Sequence, residues 1–288
     1  MKARQHRPSF RLISPALLCL FLVAGCSSTT MAYRYADWGI IWWVEDYITL
    51  TSAQEDQLNQ DLTALQEWHC SVELPRYTSW LDELEADIST GTPDAQTIYY
   101  HQQQLLAFIP DLLGEATPVA VNLLESLSDE QVAELAENMK KDQRELEEDM
   151  LAGTPQETAE ARADRTAERV ERWLGDLNRE QRARVEDWSE GRAQQTEIWL
   201  QGRENWQEAL LAALENRDQP GFEGTIEELL VHSDRARGPA YQAMMQESRQ
   251  AMAELMHDLI QAGEKRHREH LLARARELNT DFVALSCL

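Results

Sequence analysis

Histidines and cysteines are the residues of this chain best suited to metal or nucleophilic chemistry, and their spacing decides what they can do. Glu254/His257 and Glu264/His267 each set a carboxylate and an imidazole three residues apart on one helix face, with His270 three further on. Di-iron bundles use such pairs, but take them from two different helices and add two more glutamates. Both pairs here fall on one expected helix, so no metal site is expected. His69-Cys70 puts a thiol beside an imidazole, with no third residue placed to orient the ring. A buried, hydrogen-bonded histidine is the expected role there. No Gly-x-Ser-x-Gly, His-Glu-x-x-His or phosphate-binding glycine loop occurs. The expectation is a non-enzyme, with no catalytic, cofactor-binding or metal-ligating residues.

Cys26 has a different chemistry. Residues 1–25 have the layout of a secretory signal: Lys2, Arg4, Arg7 and Arg11 without an acidic residue, then a mostly apolar run from Leu12 to Val23. That run is too short to span a bilayer, which takes ~20 residues. Val23-Ala24-Gly25-Cys26 fits the bacterial lipoprotein pattern of Leu/Val-Ala/Ser-Gly/Ala-Cys at every position. Cys26 is therefore the expected lipidation site. Its acyl chains anchor stably, since each buried CH₂ contributes ~0.8 kcal/mol. Ser27 rather than Asp comes next, which by resemblance to lipoprotein sorting rules implies the outer membrane, facing the periplasm. Cys19 leaves with the signal and Cys26 is consumed by lipid. Cys70 and Cys287 then remain, in a compartment where oxidation is allowed. A disulfide between them, tying the last residues to an early helix, is the expectation, and two unpaired, half-buried thiols are the alternative.

Four of the 27 basic residues and none of the 51 acidic ones lie in the signal, so the mature chain carries 23 against 51 and a net charge of −28. Such a body is repelled by nucleic acid and by anionic lipid. A hydrophobic share of 43 %, with nine tryptophans, suffices for a core, while only 12 glycines and 9 prolines leave room for helix nearly everywhere.

The elements can be placed from this pattern. Residues 26–32 read as a short lipidated leader and 33–288 as a single all-helical domain, divisible into sub-bundles 33–152 and 156–288. The block Tyr33 to Tyr47 reads as a short helix whose tryptophans Trp38, Trp42 and Trp43 suit either the core or a partner surface; packing on the bundle is the expectation. Leu58, Leu62, Leu65, His69 and Val72, then Leu81, Leu84 and Ile88, form an inward stripe that Pro75 should kink near Leu74. Thr92 caps the next helix, which buries Ile98, Leu105, Phe108 and Ile109. Long helices are then expected from Asn178 to about Ala213 and from Pro239 to about Phe282. The basic stretch Lys265 to Arg276 reads as a solvated face, with the acidic 145–149 region as an alternative partner. The fold class expected is all-α, an elongated antiparallel bundle of about seven or eight helices, one of them proline-kinked.

Three helix starts share one phrase: Leu50-Thr51-x-x-Gln54, Leu127-Ser128-x-x-Gln131 and Leu177-Asn178-x-x-Gln181. Each is a capping box, in which a side chain accepts the N3 amide and the N3 glutamine reaches back. The phrase resembles the Leu-Thr-x-x-Gln signature of the small periplasmic helical chaperones of the Spy type, with only the first copy literal. Over nearly the whole mature chain the sequence resembles an uncharacterised family of proteobacterial lipoproteins, through Asp37-Trp38, Trp43 to Tyr47, Trp68-His69, Glu73 to Tyr77, Trp173-Leu174, Glu180 to Arg182 and Arg203-x-x-Trp206. That resemblance implies no activity, and Cys70 and Cys287 are not part of its pattern. The functions left open are a non-enzymatic binding or chaperone-like role in the envelope and the docking of one specific envelope partner.

Overall fold

A computed structural model describes residues 28–287, apart from residue 193. Signal segment and Cys26 lie outside the described residues. Within them the chain is helical throughout, without a strand.

The first helices, α1 (Ser28–Arg34) and α2 (Ala36–Glu45), are separated at Tyr35, so the expected leader is already helical from Ser28 and the aromatic block is not one helix. Then come α3 (Ser52–Trp68) and α4 (Leu74–Thr90), joined through a single π-turn, His69–Glu73. Pro75 explains the turn. It has no N–H to give and its ring crowds the carbonyl four residues back, so the helix widens by one residue just ahead of it instead of breaking. The Leu74 N–H reaches back to the His69 carbonyl. One inserted residue rotates everything before Pro75 relative to the rest of α4. The expected inward positions His69 and Val72 therefore give way to Cys70, Glu73 and Leu74, which are buried, while Val72 faces water.

Next is α5 (Ala95–Glu125), capped by Asp94 instead of Thr92, with Pro110 and Pro118 inside an unbroken helix. Ile98 is buried as expected, but Leu105 and Ile109 are exposed. The remaining helices are α6 (Asp129–Met150), α7 (Pro155–Leu174), α8 (Arg179–Glu190), α9 (Gln195–Leu214), α10 (Phe222–Val231), α11 (Ser233–Arg237), α12 (Pro239–Gln261) and α13 (Lys265–Leu285). Both expected long C-terminal helices are broken in two, at Gly191-Arg192 and at Ala262 to Glu264. Their apolar spacing runs on through each break, which is why periodicity alone joined them.

The largest core draws Leu127 and Leu135 from the first half of the chain and Leu210, Leu214 and Ile226 from the second. A second core packs α7 and α8 against α12 through Val170, Leu174, Val185 and Leu259. Ile41, Leu58 and Leu62 form a third beneath α2. Where α9 crosses α12, Gly202 lets the helices touch: a Cβ there would stand 2.7 Å from the Tyr241 ring. The break at Gly263 turns α13 back along α4. Arg276 bonds Glu85 at 2.7 Å and Asn279 bonds Asp82 at 2.6 Å, so the two run antiparallel. The basic stretch is a largely solvated face, as expected, with Lys265, Arg266 and Arg268 exposed, and it meets α4 through Arg276 instead of residues 145–149.

Candidate functional site

Two constructions organise the sequence motifs. The first is at the repeated helix starts. Thr51/Gln54, Ser128/Gln131 and Asn178/Gln181 all form complete capping boxes. The first two also lock onto each other. The Gln54 amide donates to the Gln131 side chain at 3.1 Å and to the Ser126 carbonyl at 3.0 Å, while the Gln131 amide donates to the Gln54 side chain and the Thr49 carbonyl, both at 2.8 Å. Each glutamine thus reaches the residue two before the other helix's N-cap, a relation close to twofold.

The third start pairs with one hidden in the sequence. His267 holds the Glu264 N–H through Nδ1 at 2.8 Å and bonds the Asp176 carbonyl, two before Asn178, through Nε2 at 3.0 Å. Asn178 returns a bond to the Ala262 carbonyl, two before Glu264, at 2.9 Å. So Glu264-x-x-His267 is a helix cap with histidine in glutamine's place. Among the described residues no group of three or more potential ligands is placed to hold a metal ion. The interlock makes a numerical prediction. Gln54→Ala or Gln131→Ala alone should each lower stability by about 1–2 kcal/mol. In urea denaturation the double variant should cost clearly less than the two singles together, because each glutamine is the other's partner; strict additivity would mean the caps act independently.

The second construction is the pole at which the first and last described helices meet the π-turn. Cys70 and Cys287 are joined by a disulfide, and the Cys287 N–H donates to the Cys70 carbonyl at 3.1 Å. With its sulfur so engaged, Cys70 is no nucleophile for His69. That histidine takes another role: Tyr33 of α1 sets its hydroxyl 3.1 Å from His69 Nδ1. Burial pushes the His69 pKa down, against the opposing pull of Glu73, so the ring is neutral at neutral pH and can accept. From His69 the ring contacts continue to Tyr77 at 5.5 Å, and from Tyr77 to Phe108 at 4.6 Å and Phe282 at 5.9 Å. Helices α1, α4, α5, α13 and the π-turn are thereby clasped together.

Beneath this cluster Glu73 is fully buried. Its Oε1 is held by Arg76, whose guanidinium also reaches Asp111 at 2.8 Å, and its Oε2 has no hydrogen-bond partner. Burial and then the Glu73 charge push the Tyr77 phenol up to about 12, so it stays protonated. The arrangement clamps elements; it exposes no nucleophile and base together.

Along α1 and α2 the surface turns apolar. Trp38, Trp42 and Trp43 are 68 %, 60 % and 59 % exposed, where core packing was the expectation. Only Ile41 of α2 is buried, so the helix rests on α3 by a narrow edge and shows its tryptophans outward. The Trp38 and Trp42 rings lie parallel within 8°, 6.5 Å apart. Met31, Tyr35 and Ile40 are exposed on the same segment. Among the described residues no helix is long and apolar enough to cross a membrane.

The profile of a family of unknown function, DUF6279, matches residues 46–242, more than half of the chain. The match takes in all three repeated capping boxes. No curated protein and no solved structure matches the chain.

Proposed function

This chain belongs to DUF6279, and we propose that it is an outer-membrane-anchored lipoprotein whose periplasmic helical body binds envelope proteins without catalysis, in the manner of a chaperone. The anchor is Cys26, at the end of Val23-Ala24-Gly25-Cys26. The observation that carries the binding role is the exposure of Tyr99, Tyr100, Leu105 and Ile109 along α5 of a body with 51 acidic residues. Leu105 and Ile109, one turn apart, set an apolar strip in a strongly charged surface for an unfolded client to hold, while the net charge keeps the complex dispersed. The assay is light scattering from a denatured client at stoichiometric ratios. The wild-type body should slow aggregation, and Leu105→Ser/Ile109→Ser should weaken that protection severalfold; a wild type that protects no better than an inert protein ends the chaperone reading. A second reading, an accessory lipoprotein docking one specific partner, draws on the exposure of Trp38, Trp42 and Trp43, and in-cell crosslinking from those positions tests it.

A further inference from the structure

Met31, Tyr35, Trp38 and Trp42 succeed one another at steps of four, three and four, with Trp43 and Ile40 alongside, and every one of them is exposed. The opposite edge of α2 already has its core contact, in Ile41 and Val44 against Leu58 and Leu62. This segment therefore carries two apolar faces, of which the body covers the smaller. We propose that the outer face is a membrane-interface docking surface, seated at the boundary between headgroups and acyl chains of uncharged lipids in the leaflet that holds Cys26. This rests on the anchored-lipoprotein reading above.

Three observations select lipid as the occupant. The first is reach. Helix α1 begins at Ser28, two residues past Cys26, and at ~1.5 Å per residue the run from Ser28 to Trp42 spans only about 21 Å, so the stripe cannot move far from the acylated residue. The second is composition. Indole and phenol rings sit favourably where an apolar body meets a wet edge, and here three indoles are exposed, two of them with rings parallel within 8°. The third is charge. The mature chain is strongly acidic, so anionic lipid repels it, whereas the stripe itself carries only Arg34 and Asp37 between Met31 and Trp43. A neutral surface is the one this face can approach. The pole behind the stripe is a stiff support for such a contact, because Tyr33 is bonded to His69 and its carbonyl accepts from Gln66 at 2.9 Å.

The test uses the full-length lipidated protein in vesicles of phosphatidylcholine and phosphatidylethanolamine whose acyl chains are brominated either near the headgroup or near the methyl end. Headgroup-proximal bromine should quench about a third of the tryptophan emission, since three of the nine tryptophans are in the stripe. Deep bromine should quench much less. Trp38→Ala/Trp42→Ala/Trp43→Ala should abolish the quenching with its helical circular dichroism unchanged, and Trp68→Phe/Trp80→Phe should keep it. Intact mass on the same sample reads acylation of Cys26 separately. Acylated protein without quenching, or quenching equal in wild type and triple variant, overturns the docking surface while leaving the anchor standing. An unmodified Cys26 removes the anchor, and the stripe is then judged by the same quenching from added vesicles. A single protein captured in cells at Trp42, with no quenching by lipid, assigns the face to that protein and overturns the proposal.

Discussion

Replacing Cys70 and Cys287 together by serine should lower the stability of the body by about 2–4 kcal/mol and its Tm by roughly 5–12 °C. The disulfide spans a sequence separation of 217, nearly the whole described chain. Chain entropy sets an upper figure of about 5 kcal/mol for a loop of that length, and residual structure in the unfolded chain reduces what is realised. The loss should be global in the melting curve but narrow in the native state. Below the bridge α13 is still held on α4 by Arg276–Glu85 and Asn279–Asp82, and Tyr77 still faces Phe282. Hydrogen exchange should therefore speed up in the last turn of α13 and in the π-turn, and little elsewhere. Wild-type protein under a reductant should reproduce the double variant. Melting curves that do not move on reduction would show that the C-terminal residues are placed by packing alone.

The all-α class and most helix boundaries were legible in the sequence because caps, prolines and glycines are local signals. Thr51, Ser128 and Asn178 each announce a helix and each begins one. What local signals leave out is how separate segments meet. The Gln54–Gln131 exchange joins residues 77 apart, and periodicity cannot show that two caps face each other. The cap at Glu264 was hidden by chemistry: histidine at N3 reads as a metal ligand unless Gly263 before it is weighted as a stop signal. At Pro75 the sequence signals the disturbance but not its form. A kink leaves the inward stripe in phase, whereas a π-turn moves it by one residue, and this is why Cys70 points inward to meet Cys287 while Val72 points out. Tyr33 to Tyr47 shows the remaining limit, since an aromatic run looks the same in sequence whether it faces a core or a surface.

Arg76→Ala should cost about 3–5 kcal/mol, comparable to the disulfide, although the residue's own side chain is 42 % exposed. An ion pair at that exposure would ordinarily contribute under about 1 kcal/mol. The difference lies in the partner. Glu73 is wholly buried in the π-turn, and removing Arg76 takes away the cation bonded to its carboxylate and leaves it facing the uncharged Tyr77 hydroxyl. The variant's penalty is thus that of an uncompensated buried charge. That stranded charge fixes the order of a series measured by urea denaturation. Arg76→Ala is the worst. Glu73→Gln is milder, because it leaves a neutral amide. The double variant Glu73→Leu/Arg76→Met should return close to wild type or exceed it, since buried pairs are often replaced by apolar residues without loss. If Arg76→Ala instead costs less than about 1 kcal/mol, the stranded charge has found water, and the Glu73 site is wetter than its burial implies. A double variant that recovers stability would also show that the pair is not retained for stability, which leaves orientation of the π-turn, with His69 and Cys70 upon it, as what Glu73 and Arg76 supply. Near-ultraviolet circular dichroism of that double variant reads this directly: a weakened Tyr77 and Phe108 signal at unchanged stability is the result expected.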